Sequence, residues 1–321
     1  MPARENQRQP CTILLPLFNG SAFLSRSIIN LCEIAGHDDE ILVIDDGSTD
    51  ITDQEIKSII QSDSRIVFHK CQHIGLVETL NYGIRHAANE FIARADVDDI
   101  YTKNRIELQV KFLTDNSQVL AVFSDYRMVT SDGRQVGIFP CAISSELTAF
   151  SLLSSQRTAH SSVMYRKSSV LHAGGYLSKD FPAEDLALWL RLIINGEIAS
   201  IPQVLLDYTV HGQSITQLKQ QAMREKSFRL RHQYAIKENW TGLLSKASTL
   251  LSAYSDVEKK HARTLFFIND LLTLNELTQG QYKKRIYRII LKQVVLKNIL
   301  LFPALWEAAT MKFRKLILPS K

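Results

Sequence analysis

Short apolar runs alternate with amphipathic stretches through the first third of the chain. Residues 12–18 (TILLPLF) read as a buried strand. Over 22–35 the apolar positions Phe23, Leu24, Ile28, Leu31 and Cys32 fall at helical spacing, with Ser21 placed to cap the start. A second strand at 40–45 (EILVID) runs into the turn Asp46-Gly47-Ser48, and Thr52-Asp53-Gln54-Glu55 has the spacing of a capping box at the head of the next helix. A strand at 66–69, a helix over 76–88 and a strand over 90–94 continue the alternation. The pattern predicts an α/β fold, a Rossmann-like, mostly parallel sheet with helices on both faces.

A helix over 105–113 and a strand at 120–124 follow, after which the pattern is less regular. This middle stretch contains residues 158–165 (TAHSSVMY), the turn Ala173-Gly174-Gly175-Tyr176, a strongly amphipathic segment at 186–194 and a strand at 203–208. From about residue 216 the pattern is helical, broken by Gly242, Gly280 and Pro303. We therefore expect an α/β domain over 1–215 and a helical C-terminal region over 216–321, with the boundary near 214–218. No internal repeat is visible.

Composition narrows the class. Of the 321 residues 45% are hydrophobic and 22% charged, a balance that excludes a multi-span membrane protein and a disordered or low-complexity chain. The formal charge of +5 conceals a division: from residue 281 onward ten cations face one anion, Glu307, so this tail carries +9 and the rest of the chain −4. The four cysteines form no CxxC pair, and the polar N-terminus lacks the apolar core of a signal peptide, so a reduced, cytoplasmic setting is expected.

Within the tail, residues 282–299 (YKKRIYRIILKQVVLKNI) interleave Ile286, Ile289, Ile290 and Val294 with Lys283, Arg285, Arg288, Lys292 and Lys297. The apolar run at 298–306 is too short to span a bilayer. Such a segment suits an anionic membrane surface, which would hold the protein on the inner face of the cytoplasmic membrane, or it packs as a helix on the body. It carries no RNA- or DNA-binding motif, so no nucleic-acid partner is expected.

Three groups of carboxylates stand out. In sheets of this kind ligands bind beyond the carboxyl ends of the strands, where Asp45 and Asp46 close one strand and Asp96, Asp98 and Asp99 follow another. The triplet offers hard oxygen ligands suited to Mn²⁺ or Mg²⁺, or it is a solvated acidic turn. The Asp45–Gly47 turn can accept hydrogen bonds from a base or ribose, or simply cap a strand-to-helix corner. Glu184-Asp185, ahead of LALWLRL, suits the positive end of a helix and could equally supply a general base.

Taken in order, PLFNGSAFLSRSI, ILVIDDGSTD, HIGLVETLNYGIRHAANEFIARADVDD, HSSVMYR, GGY, PAEDLALWLRL and LLDYTVHGQSIT resemble the family 2 inverting glycosyltransferases of the GT-A fold, over roughly residues 11–216. The resemblance implies a hexosyltransferase-type enzyme of bacterial surface-polysaccharide synthesis, such as lipopolysaccharide or capsule. It would move a sugar from a nucleotide sugar, a UDP-sugar above all, to a glycan or lipid-linked acceptor. By position it implies that Pro16, Phe18 and Asn19 line the uridine pocket and that Asp46, supported by Asp45, binds the nucleoside. Asp98 would be the direct metal ligand, with Asp96 nearer the ribose or donor sugar and also a candidate ligand, and Asp99 in support. Asp185 would be the catalytic base and Glu184 its partner in orienting or binding acceptor. His211 would sit near the diphosphate or metal, and His160 on the acceptor side or in the core.

Two positions depart from the family pattern: Lys103 stands where Pro is frequent, and Thr209 follows Tyr208 where Arg is common. Other classes remain in view, namely a metal-dependent phosphatase, a nucleotidyltransferase and a non-catalytic membrane-docked scaffold. The phosphatase pattern of Asp-x-Asp followed by a small turn is not met by Asp45-Asp46-Gly47, and there is no glycine-rich phosphate loop near the N-terminus.

Overall fold

A computed structural model of the chain describes residues 8–237, apart from 143, 155–157, 213 and 215–217. The basic tail and the helical breaks at Gly242, Gly280 and Pro303 lie outside the described residues.

The first half repeats strand and helix: β1 (Cys11–Leu17), α1 (Ser21–Ile34), β2 (Glu40–Asp45), α2 (Asp53–Ser62), β3 (Ile66–Lys70), α3 (Leu76–His86) and β4 (Phe91–Arg94). Next come the short β5 (Ile100–Tyr101), α4 (Arg105–Asp115), β6 (Val119–Thr130), β7 (Gln135–Phe139) and α5 (Ser145–Ser154). A 3₁₀ turn at His160–Ser162 leads to β8 (Met164–Arg166) and α6 (Lys167–His172), and a second at Ser178–Asp180 leads to α7 (Glu184–Asn195), β9 (Glu197–Val210) and α8 (Gln220–Lys237).

The strands form one sheet in the order β3-β2-β1-β4-β8-β6-β9-β5, with β7 paired to β6. β2–β3, β1–β2, β1–β4 and β6–β9 are parallel pairs, and β8 runs antiparallel between β4 and β6. The sheet is therefore mostly parallel, as the alternation predicts. Its central strands are apolar on both faces, because helices cover both. Leu14, Leu42 and Ile44 pack with Leu80 and Ile84 of α3 and with α7, while Ile13, Leu15, Ile41 and Val43 pack with α1 and α4. Burying each such side chain contributes about 1.5–3 kcal/mol.

Two local expectations are revised. Ser21 does not cap α1; the N-cap is Gly20, which makes no side-chain cap bond, and the Ser21 amide instead donates to Asp50 Oδ2 at 3.0 Å. The segment read as amphipathic, α7, buries Leu186, Leu188, Trp189, Leu190 and Leu192 around most of its circumference, because α5 and α8 pack against it as well as the sheet. The residues of β7, β8 and α5 gave no clear period, being short or paired only at the sheet's antiparallel positions.

The capping box at α2 forms as its spacing requires. Thr52 Oγ1 accepts from the Glu55 amide at 3.2 Å, and the Thr52 amide donates to Glu55 Oε2 at 2.7 Å. Thr52→Ala removes the cap on an exposed helix end, and urea denaturation is expected to show a loss of about 1 kcal/mol.

Candidate functional site

The carboxyl ends of β1, β2 and β4 come together at one edge, joined by short backbone bonds: the Asp46 amide donates to Leu17 O at 2.7 Å and the Ala95 amide to Leu14 O at 2.9 Å. Every predicted donor-side residue lies on or next to these strand ends. Pro16 is buried within β1, opposite Ile44. Phe18 is 46% exposed and its ring stacks on His73, centroids 4.2 Å apart and planes 21° from parallel. Asn19 takes the left-handed conformation, φ 48°, donating its amide to Ser48 Oγ and accepting the Thr49 amide on Oδ1, each at 2.9 Å.

Asp45 and Asp46 are both buried and bind backbone. Asp45 Oδ1 accepts the Ser48 amide at 3.0 Å and so shapes the turn. Asp46 accepts the amides of Ile74 and Gly75 at 2.7 and 3.0 Å and lies 3.0 Å from His73 Nδ1. Asp46 thereby fixes the loop that presents His73 to Phe18. Gly47 is required here: it has φ +80°, and a Cβ would come within 2.9 Å of the His73 amide.

The loop after β4 brings ligand atoms of Asp96, Asp98 and Asp99 within 4.8 Å of one another. The three differ in what they touch. Asp96 is ion-paired with Arg94. Asp99, 1% exposed, accepts Ser161 Oγ at 2.5 Å and the Thr209 amide at 2.8 Å. Burial, joined by the charges of Asp96 and Asp98, holds its carboxyl well above the ordinary range. Asp98 meets His211, whose Nε2 donates to Oδ2 at 2.7 Å, and its main-chain carbonyl accepts Arg26 Nη2 at 2.8 Å. The His211 ring also lies 5.1 Å from that of Phe23.

This donor set fits a divalent cation. Oxygen ligands predominate, an imidazole nitrogen converges on one of them, and the Asp98 and His211 side chains remain 20% and 16% exposed.

Glu184 and Asp185 open α7, where the helix dipole favours negative charge. Asp185 Oδ1 accepts the Leu186 amide at 2.6 Å. Glu184 is 6% exposed, and burial, then the charge of Asp185, pushes its carboxyl up to about 7. His160 is half-buried: Nε2 and Tyr176 Oη are 2.7 Å apart, the ring packs near Trp189, and desolvation pulls its pKa well below the usual value.

Four positions that contact the candidate site escaped the sequence reading. His73 and Arg26 carry no type-specific signal at their spacing. Arg94 does carry one, being a cation at the end of the apolar run 91–93, whereas Arg105 stands among polar neighbours and carries none. Arg105, fully buried, donates from Nη2 to the carbonyls of Arg94 and Val163 at 2.8 and 3.1 Å and from Nε to Gln109 Oε1, pinning the base of the acidic loop. Among the described residues no helix is long and apolar enough to cross a membrane.

Known proteins resemble the chain over much of its length. A UDP-Gal:alpha-D-GlcNAc-diphosphoundecaprenol beta-1,3-galactosyltransferase of Escherichia coli is 29% identical over 190 residues, 58% of this chain and 68% of that protein. Among solved structures, a fragment of S. aureus TarS in complex with UDP-GlcNAc superposes with a TM-score of 0.60 at 15% identity, covering 89% of this chain and 85% of that one. A mannosyltransferase from Pyrobaculum calidifontis, in complex with GDP-Man and Mn²⁺, gives 0.56 at 15% identity over 96% and 85%. At such identity these two speak for the fold alone. The description "Glycosyl transferase family 2" matches residues 12–172, half of the sequence, and the chain belongs to that family and is a glycosyltransferase.

Proposed function

We propose that the protein is an inverting glycosyltransferase that moves a sugar from a UDP-sugar to a hydroxyl of a lipid-linked or other glycan acceptor, in the synthesis of a surface polysaccharide such as lipopolysaccharide or capsule. The observation that carries this reading is the convergence of Asp98 and His211 over a loop of three carboxylates at the carboxyl end of β4. The TarS and Pyrobaculum structures hold nucleotide sugars, and the E. coli relative's name specifies a diphosphoundecaprenol acceptor, which supports the choice of donor and acceptor class.

In this reading Phe18 and His73 offer an aromatic shelf to the base. Asn19 lies beside them, with Pro16, Asp45 and Asp46 behind, and Asp96 faces the ribose or donor sugar. Asp98 and His211 would hold Mn²⁺ or Mg²⁺, with Asp96 a further candidate ligand and Asp99 in support. A bound divalent ion supplies Lewis acidity to the leaving diphosphate. Asp185 accepts the proton of the acceptor hydroxyl as that oxygen bonds to the anomeric carbon. The bond from that carbon to the diphosphate breaks on the opposite face, so the configuration inverts. Glu184, largely desolvated, orients Asp185 or the acceptor.

Residues 1–215 would form the catalytic domain and 216–321 a helical appendage. Its basic end, net +9 from residue 281, would attract the anionic inner face of the cytoplasmic membrane, close to a lipid-linked acceptor.

Three outcomes are expected. Asp185→Asn lowers kcat about 10²–10⁴-fold while calorimetry finds UDP affinity unchanged within about twofold; turnover at the wild-type rate would remove Asp185 from the base role. Asp98→Ala abolishes Mn²⁺-dependent UDP binding, and His211→Ala weakens it by about tenfold, as loss of one metal-centre partner does; affinity unaffected by Asp98→Ala would refute the ligand assignment. In liposome flotation with anionic vesicles the full chain floats and a chain ending at Gly280 does not, whereas equal flotation of the two would refute the tail's role.

A further inference from the structure

The acidic loop runs from the end of β4 to β5, a strand of two residues at the edge of the sheet that pairs with β9 through Ile100 opposite Asp207 and Tyr101 opposite Leu206. Its main chain is fastened at the start, where the Ala95 amide donates to Leu14 O at 2.9 Å, and crossed once inside the turn, where the Asp99 amide donates to Asp96 O at 3.3 Å. The Asp96 amide instead turns to a side chain and donates to Tyr101 Oη at 2.7 Å. Tyr101 thus reaches back along the chain and closes the loop into a ring.

Tyr101 is itself held from three sides and is 2% exposed. Asn30 of α1 donates from Nδ2 to Tyr101 O at 3.0 Å and accepts the Tyr101 amide on Oδ1 at 2.8 Å, standing where a neighbouring strand would bond. The Arg105 guanidinium lies 4.3 Å from the centre of the tyrosine ring. α1 backs the loop at two further points: Arg26 Nη2 donates to Asp98 O at 2.8 Å, and a Cβ on Gly20 would come within 3.0 Å of the Val97 side chain. The phenol is therefore a fixed post, and the loop is tied to it by its first acidic residue. Removing one partner of such a bond leaves the other unsatisfied, and a loop freed in this way gives up the preformed spacing that metal ligands need.

We propose that Tyr101 is a positioning residue for the divalent-ion site: by holding the Asp96 amide it preforms the loop, so that Asp96 and Asp98 meet the ion without the chain first having to order. This rests on the donor and metal reading given above. The bond is to the main chain of the loop, away from the Phe18–His73 shelf, so its loss registers in affinity for the ion and not in affinity for the nucleotide once the ion is bound.

The test uses the full-length chain with Tyr101→Phe, which keeps the ring and removes only Oη, with Asn30→Ala and the double variant, and with Thr52→Ala as a control that loses stability at an exposed helix cap. Calorimetry of UDP binding across a Mn²⁺ series is expected to place half-saturating Mn²⁺ about tenfold higher for Tyr101→Phe, while UDP affinity at saturating Mn²⁺ stays within about threefold of wild type and Thr52→Ala changes neither. Asn30→Ala raises half-saturating Mn²⁺ about threefold, and the double variant raises it no further than Tyr101→Phe, because both act through one contact. Without metal, amide hydrogen exchange across residues 95–99 is about tenfold faster in Tyr101→Phe than in wild type. An unshifted Mn²⁺ midpoint, an equal shift in Thr52→Ala, additive effects in the double variant or unchanged exchange would each overturn the proposal. If Tyr101→Phe does not fold, Asn30→Ala is judged by the same two measurements. Wild-type UDP affinity that ignores Mn²⁺ would defeat the donor and metal reading, and the exchange measurement would then decide by itself whether Tyr101 closes the loop.

Discussion

Three carboxylates whose ligand atoms lie within 4.8 Å cannot all stay ionised at the edge of a protein interior unless something offsets their repulsion. This chain answers the problem separately for each. Asp96 receives a buried arginine, and Asp99 receives a hydroxyl and an amide from two distant segments. Asp98 receives an imidazole and keeps part of its surface in water. Asp99 is thus committed to holding the loop, while Asp96 and Asp98, with side chains 29% and 20% exposed, keep access to a ligand. The surrounding architecture follows from that division: Arg94 comes from β4, Ser161 from the turn before β8, and Thr209 and His211 from the end of β9 and the residue just past it.

The elements that deliver them are rigid because they are dry. β1 is buried along its whole length, and α7 is covered on nearly every side. A helix buried all round cannot rotate or slide without opening cavities, so the acid pair at its first turn is held in register with the sheet. Arg105 performs the same service beneath the acidic loop, tying the end of β4 to the turn that precedes β8.

The parallel half of the fold was legible in the sequence because its strands are short apolar runs and its helices have a period; β2 was read to the residue, and α2 was marked by its capping box. The second half was less so. β8 has three residues, and β7 pairs on one side only, so neither carries a repeat long enough to see. The site divides in the same way. Asp98, Asp185 and His211 could be singled out because their motifs are local. The stacking of Phe18 on His73 and the pairing of Arg94 with Asp96 depend on how side chains turn, which residue type and spacing do not encode.

Asp98 and His211 are 113 residues apart along the chain, and Asp99 and Thr209 are 110 apart. Residues 12–172, which carry the family match, contain the whole acidic loop but none of the groups from β9 or α7 that complete it. A chain emerging from the ribosome therefore exposes the loop long before its last partners are made. Contacts of such sequence separation close slowly. The acidic side of the candidate site becomes whole only when β9, the last strand among the described residues, docks, which makes completion of that side coincide with completion of the described sheet.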